Sequence, residues 1–330
     1  MKKVAIIGAG QLGSRHLQGV LKSSFEFDVY VIDPYASSLE VAQSRASEIE
    51  HNHEINFEER ITALPTEIDL VIVATNSDVR LSVLMQLLDK SKIGTLILEK
   101  VLFQSLHEYE EARELVQNTN TETFVNHARR MQALYQGIKS ILEEFKDEVF
   151  DIDYYGANWG LGCNGLHLSD AISFLLNDSI EYYENRELDS EITESKRKGF
   201  VEFTGTLSGK TRNGHCFRIT SRRTEDGLPS GISLTLNSPS VRISVMEGGT
   251  KPSIMVTRMK QGANSEVSTF PRMLFQSDLS KIIVEEVLSG RSMQLPTYED
   301  AMANHKLFIE SLLNHLNQSN IEKSNRCPIT

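Results

Sequence analysis

Apolar and polar positions follow two different rhythms along the chain, and the change falls near residue 128. In the first part, β-branched and apolar runs at 4–7, 28–35, 68–75, 95–100 and 121–128 predict buried strands, with a shorter one near 55–57. Between them, helical spacing predicts helices over 11–22, 37–47, 78–88 and 105–116; the third carries Val79, Val83, Leu84, Leu87 and Leu88 at the helical repeat. Strands alternating with helices over short connections predict a parallel, doubly wound α/β sheet that binds ligands at the C-terminal ends of its strands. Thr75, Asn76, Glu99 and Lys100 fall at those ends.

Beyond 128 the rhythm changes. One long helix is predicted over 130–145 and an alternating strand over 149–159, followed by strands over 200–210, 215–221, 231–236, 241–246 and 253–259. RNGH at 212–215, EDG at 225–227 and EGG at 247–249 supply turn chemistry, with Asn-Gly a strong hairpin signal. Consecutive strands imply an antiparallel sheet, and helices over 277–288 and 297–316 close the chain. The charged stretch 177–198 reads as a surface excursion. Two domains are therefore expected, 1–128 and an α+β domain over 129–330, with the alternative that the closing helices pack back on the first.

The chain has 330 residues, enough for about two domains, and its 40% apolar residues can build cores. A net charge of -11 has the wrong sign for a general nucleic-acid or anionic-membrane surface. Cys163, Cys216 and Cys327 form no C-x-x-C pair, which argues against a disulfide framework or zinc site and for a reducing compartment. No signal-peptide pattern opens the chain, and no run approaches the ~18 apolar residues of a membrane span. A cytoplasmic protein is expected. His51 and His53 have no third ligand at a standard spacing, so a solvated loop is the expected reading and no metal site is predicted.

The candidate chemistry begins at VAIIGAGQLGSRH, where Gly8, Gly10 and Gly13 follow a strand and open a helix at the G-x-G-x-x-G spacing. Gly8 permits the tight turn, Gly10 lets backbone approach a pyrophosphate, and Gly13 lets helix and strand close up. The helix start at Gln11, Leu12 and Gly13 then offers N–H groups and a positive dipole end to phosphates. Asp33 ends the next strand about 20 residues further on, where a carboxylate accepts from ribose hydroxyls. From Pro34 to Leu39 no arginine waits for a 2'-phosphate. NAD is expected over NADP.

GAGQLGSRH at 8–16, ATNSDVR at 74–80, Glu99-Lys100, GLHLSD at 165–170 and PTYEDAMANHKLFIESL at 296–312 together resemble the Gfo/Idh/MocA oxidoreductases, a family named for glucose-fructose oxidoreductase and inositol dehydrogenase. The resemblance covers nearly the whole chain. It implies an N-terminal Rossmann domain, a second domain with an open, mostly antiparallel sheet whose outer face commonly makes a homodimer or homotetramer, a bound nicotinamide cofactor and hydride transfer at a sugar or cyclitol carbon. Lys100 matches the lysine of the family's Glu-Lys-Pro, with Val101 in place of the proline, and His167 matches a histidine of the second domain. Taken alone, each has a blander reading, a strand-end surface cation and a structural histidine. The resemblance implies general acid/base work for His167 and alkoxide stabilisation by Lys100, or the same two roles exchanged.

Where many members carry an aspartate four residues before that histidine, this chain has Cys163 followed by Asn164. Asp170, one helical turn after His167, is either its partner or a helix-surface carboxylate. Asn164 and Trp159 suggest a polar pocket with an aromatic wall, although Trp159 equally suits core packing. Arg129 and Arg130 either grip a carboxylate or phosphate or are solvated. The leading expectation is an NAD-dependent enzyme acting on a sugar, including nucleotide-linked or amino sugars of surface-glycan pathways. The rivals are a nonenzymatic NAD-binding sensor and a lyase or isomerase that recycles hydride on tightly held NAD. If the strands of 200–259 leave a face carrying residues such as Val201, Phe203 and Phe217 or their neighbours, a second copy is expected to cover it.

Overall fold

The computed structural model describes residues 1–224, 231–248, 250–259, 264–319 and 323–330. The chain divides into two compact units, one of residues 1–128 and 274–302, the other of residues 129–273 and 303–330.

In the first unit six parallel strands, β1 (Lys2–Ile7), β2 (Phe27–Ile32), β3 (Ile55–Glu58), β4 (Glu67–Val73), β5 (Lys92–Leu98) and β6 (Glu122–Val125), lie in the order β3-β2-β1-β4-β5-β6. The order reverses between β1 and β4, the place where a doubly wound sheet opens a crevice. Val4 to Ile7 and Leu70 to Val73 are buried on both faces, which accounts for their continuous apolar runs. Helices α1 (Gly13–Leu21), α2 (Ala36–Ala46), α3 (Arg80–Lys90) and α4 (Leu106–Gln117) connect the strands. Helix α4 starts on a capping box in which the Ser105 side chain accepts from the Glu108 backbone and the Glu108 carboxylate accepts from the Ser105 N–H at 3.1 Å.

The second unit is built on an eight-stranded mixed sheet. Its members are β7 (Asp151–Ala157), β8 (Ile180–Leu188), β11 (Gly205–Thr211), β12 (Cys216–Arg222), β13 (Ile232–Asn237), β14 (Val241–Met246), β15 (Ser253–Arg258) and β16 (Asn264–Thr269); the two-residue strands β9 (Thr193–Glu194) and β10 (Val201–Glu202) pair separately. The order is β16-β15-β14-β13-β7-β12-β11-β8, and among the described residues of this sheet β7 with β12 is the one parallel pair. The Asn213-Gly214 turn joins β11 to β12 with Gly214 at φ +95, as the hairpin signal predicts. The EDG turn lies outside the described residues, and so does the last glycine of EGG.

Four expectations are corrected here. The helix over 130–145 is three pieces: a 3-10 turn at Ala128–Met131, α5 (Ala133–Leu142) and a second 3-10 turn at Glu143–Phe145; Gln132, extended at ψ 134, breaks the first join. The stretch 177–198 is no mere excursion, because β8 is an edge strand. Its Tyr183 packs edge-on against Phe217 and Phe308, while charges such as Glu187, 2.8 Å from Arg218, face outward; a charged edge reads as a loop in the sequence. The strand over 200–210 is split into β10 and β11 ahead of Gly205, at φ +96. Phe203 and Phe217 point into the core; the exposed face carries instead the apolar neighbours Tyr155, Met246, Met255 and Val267, set among Asp151, Arg218 and Arg242.

Helix α6 (Leu161–Leu176) packs on the second sheet. Near the end of the chain, α7 (Gln276–Leu288) returns to the first unit and packs along α1, and the segment before α8 (Tyr298–Ser319) adds one antiparallel bridge, Phe124 to Thr297, to β6. The first five residues of α8 complete the first unit, Tyr298 donating its hydroxyl to the Tyr109 carbonyl at 2.8 Å; from Ala303 onward the helix belongs to the second.

Candidate functional site

The turn after β1 is fixed by close backbone approach. Gly8, at φ +95, donates its N–H to the Ile32 carbonyl at 2.8 Å, and a Cβ on it would stand 3.0 Å from backbone atoms of Ala74 and Thr75. A Cβ on Gly13 would lie 1.7 Å from the Gly8 oxygen, whereas one on Gly10 would meet nothing within 4 Å. The turn is thus packed at Gly8 and Gly13 and open at Gly10. Asp33, buried at the end of β2, accepts from the Ala9 N–H at 2.7 Å and the Tyr35 N–H at 2.9 Å, so its carboxylate stands against the turn. Leu12 gives α1 no side-chain cap. Open backbone, an N-terminus with no side-chain cap and a strand-end carboxylate fit a dinucleotide: Gly10 to Gly13 for the pyrophosphate and Asp33 for the ribose. Arg45 on α2 also reaches this turn, bonding the Gln11 carbonyl at 2.9 Å and both Gln11 Oε1 and Ser14 Oγ at 2.5 Å. It lies beyond the stretch 34–39 in which no arginine was found.

The ends of β4 and β5 carry the next group. Glu99 is fully enclosed; its Oε1 accepts from the Asn126 amide and stands 2.9 Å from His16 Nε2. The other ring nitrogen, Nδ1, lies 2.8 Å from Ser280 Oγ, which donates its own proton to the Gln276 carbonyl at 2.7 Å. Both ring nitrogens of His16 are thus engaged, one by Glu99 and one by Ser280, which fixes the orientation of the ring. Burial pushes the Glu99 pKa up, but the His16 hydrogen bond and charge, with Asn126 and the Lys100 charge, bring it below its ordinary value. Lys100 follows, half-buried, and its peptide bond to Val101 is cis. Arg80, 1% exposed at the start of α3, donates to the carbonyls of Thr75, Val101 and Leu102, the last at 2.9 Å.

In the second unit the two arginines are neither solvated nor open-handed. Arg130 makes a bidentate pair with buried Asp170, at 2.9 and 2.7 Å. Arg129 bonds the Tyr135 hydroxyl at 3.2 Å and Glu247 at 3.4 Å, and Tyr135 in turn donates to Glu247. Side chains buried this deeply are charged only beside a counter-charge, which is why both guanidinium groups are engaged internally. Burial raises the Asp170 pKa, and Arg130 offsets only part of that. Asn164 donates to the Trp159 and Gly160 carbonyls and so fastens the start of α6, with Trp159 largely buried beside Gly156. His167 lies half-buried on α6 between the enclosed Leu166 and Leu168. Glu202, from β10, caps the start of α6 by accepting from the N–H groups of Gly162 at 2.8 Å and Cys163 at 3.1 Å. Burial pushes the Cys327 thiol up to about 12, so it offers no thiolate. Among the described residues, no group of three or more His, Cys, Asp or Glu could hold a metal, and no helix is long and apolar enough to cross a membrane.

The sequence reading passed over Arg80, His16, Asn126, Arg45, Glu247 and Glu202. Only Arg80 left a signal, since it falls in phase with Leu84 and Leu87, the other buried residues of α3. The remaining five are joined by chain distance rather than by spacing.

Residues 2–127 match the family model Gfo/Idh/MocA, described as an oxidoreductase family with an NAD-binding Rossmann fold. No curated protein matches the chain by sequence. Among solved structures, an oxidoreductase from Agrobacterium radiobacter in complex with NAD+, L-tartaric acid and magnesium is similar at a TM-score of 0.75 and 15% identity, over 96% of this chain and 97% of that one. The transcriptional regulator Gal80p from Kluyveromyces lactis is similar at 0.72 and 14%, over 98% and 94%. A scyllo-inositol dehydrogenase from Lactobacillus casei, with bound NAD(H) and scyllo-inositol, is similar at 0.67 and 16%, over 96% of each chain. At these identities the likeness is one of fold.

Proposed function

From the match of residues 2–127 to the Gfo/Idh/MocA oxidoreductase family we propose that the protein is an NAD-dependent dehydrogenase or reductase of that family, acting at a hydroxyl or keto carbon of a sugar or cyclitol. The observation that carries this reading is the glycine turn, packed at Gly8 and Gly13, open at Gly10 and faced by the Asp33 carboxylate. Gln11, Leu12, Thr75, Asn76 and Glu99 complete the cofactor side. The nicotinamide, when bound, supplies the hydride acceptor. In oxidation His167 takes the proton of the reacting hydroxyl, and Lys100 stabilises the negative charge that develops on its oxygen. Trp159, Asn164, Arg129 and Asp170 shape the surroundings, the last two through the internal pairs described above. With both arginines neutralised by carboxylates, an uncharged polyol ring is favoured over a substrate that needs a free guanidinium. Nucleotide-linked and amino sugars stay within the proposed class, and a homo-oligomer within the proposed assembly.

The likeness to a transcriptional regulator supports a second reading, a nonenzymatic NAD-binding sensor. One experiment separates the two. A panel of free cyclitols and UDP- and CMP-linked sugars is incubated with NAD, and both NADH absorbance and product mass are followed. NADH formed with a product lighter by two hydrogens supports the dehydrogenase. A product of unchanged mass but altered structure, without NADH, points to hydride recycling. Cofactor binding with no turnover across the panel favours the sensor.

A further inference from the structure

The loops after β4 and β5 carry Thr75, Asn76 and Lys100, and they are fastened to one another by a single enclosed cation. The Arg80 guanidinium donates to the Thr75 carbonyl with one nitrogen and to the Val101 and Leu102 carbonyls with another. Arg80 is 1% exposed, and Val101, Leu102 and Phe103 are fully buried, so these carbonyls have no water to turn to if it is removed. A second, weaker tie runs parallel, from Gln104 Nε2 to Ser77 Oγ at 3.3 Å. On its other side Lys100 follows Glu99, which His16 and Asn126 hold. The backbone on both sides of the lysine is thereby fixed, while its own side chain is half-buried.

We propose that Arg80 is a positioning residue for Lys100: by bridging the carbonyls of Thr75 on one loop and Val101 and Leu102 on the other, it sets the lysine's ammonium against the bound nicotinamide. This rests on the placement of Lys100 beside the cofactor proposed above. A planar guanidinium suits the task because its fork of donors spans carbonyls on two segments, which a single ammonium does not. Fixing such a geometry in advance is how residues that touch no substrate affect a reaction.

The test needs no substrate. The full-length protein is acetylated with acetic anhydride, free and saturated with NADH, and the modification rate of Lys100 is followed by mass spectrometry, with Lys90 and Lys92 as internal controls. In the unaltered protein, NADH is expected to slow acetylation of Lys100 about tenfold or more. In Arg80→Gln the protection at saturating NADH is expected to collapse to a small fraction of that, with the control lysines unchanged; Arg80→Lys, which keeps the charge but reaches one loop, is expected to fall between. If Arg80→Gln does not melt cooperatively, Arg80→Lys carries the comparison alone. Full protection of Lys100 in both folded variants overturns the role of Arg80. Absence of protection in the unaltered protein overturns instead the placement of Lys100 by the cofactor, and the proposal with it.

Discussion

Gly10 and Gly13 lie three residues apart in one motif, yet a methyl group added to each is expected to do opposite things. On Gly13 the new Cβ would stand 1.7 Å from the Gly8 oxygen and 2.8 Å from its carbonyl carbon, both backbone atoms that cannot swing aside. Gly8 is itself pressed against Ala74 and Thr75, so the strain passes into β4. Overpacking of this kind costs about 1–3 kcal/mol or more. For a domain of this size that is a fall of roughly 2–12 °C in Tm. On Gly10 the Cβ meets nothing within 4 Å, and the residue is not among those at positive φ. Gly10→Ala should therefore leave Tm unchanged or raise it slightly, by about 0.4–1 kcal/mol through the unfolded chain. It should nevertheless hold a pyrophosphate off the backbone. A lost charge-assisted hydrogen bond is worth about 1.5–3 kcal/mol, or roughly ten- to 150-fold in Kd. Calorimetric melting and NADH fluorescence titration of both variants measure the contrast. Unimpaired NADH binding by Gly10→Ala, or an unchanged Tm for Gly13→Ala, would refute the assignment of the turn.

Further outcomes are expected. NAD should bind about ten- to a hundredfold more tightly than NADP, because a 2'-phosphate would meet Asp33; equal affinities in a competition titration would remove Asp33 from the ribose. Lys100→Met and His167→Asn should each lower turnover of the identified substrate by at least about 10²-fold with NADH affinity little changed, and normal turnover in either variant would cancel that residue's chemical role. Glu99 has a folded pKa below its ordinary 4.5, so its pairing stabilises the protein above that pH and is lost as pH falls through the lower folded value. Chemical denaturation between pH 6 and 3 should accordingly show a shallower acid loss in Glu99→Gln, from a lower starting stability, and identical slopes would contradict the buried pair.

The first domain was legible because its signals are local. Strands buried on both faces write uninterrupted runs such as Leu70 to Val73, and the glycine spacing follows from contacts within a few residues. The second domain was less so. Strand β8 hides behind its outward charges, and β16, exposed along its length, has no apolar rhythm to detect. Gln132 gives no sign in the sequence that it will leave the helical region. At the candidate site the same division holds. Gly8, Gly13 and Asp33 are neighbours by motif. The pairs Arg129–Glu247 and His16–Glu99 bring together residues far apart in the chain, and no spacing rule connects them. The expectation that Arg129 and Arg130 would be either solvated or gripping a ligand overlooked a third choice, a counter-charge delivered by another element.

The way α7 completes the first unit bears on the order in which the chain can mature. Helix α1 presents Gly19 directly beneath Ser277 and Ser280, where a Cβ would lie 2.3 Å from the Ser277 oxygen, and His16 finds the hydrogen-bond partner of its Nδ1 on the same helix. A nascent chain that has delivered only its first 128 residues thus holds a complete parallel sheet with one flank bare and a histidine held by Glu99 on one ring nitrogen alone. The whole second sheet must be synthesised before that flank closes. A chaperone able to shield an apolar helix face would find its client during that interval. An excised cofactor domain would need residues 274–302 supplied, as a graft or as a separate peptide, and its recovery of NADH binding on adding that peptide would report the docking directly.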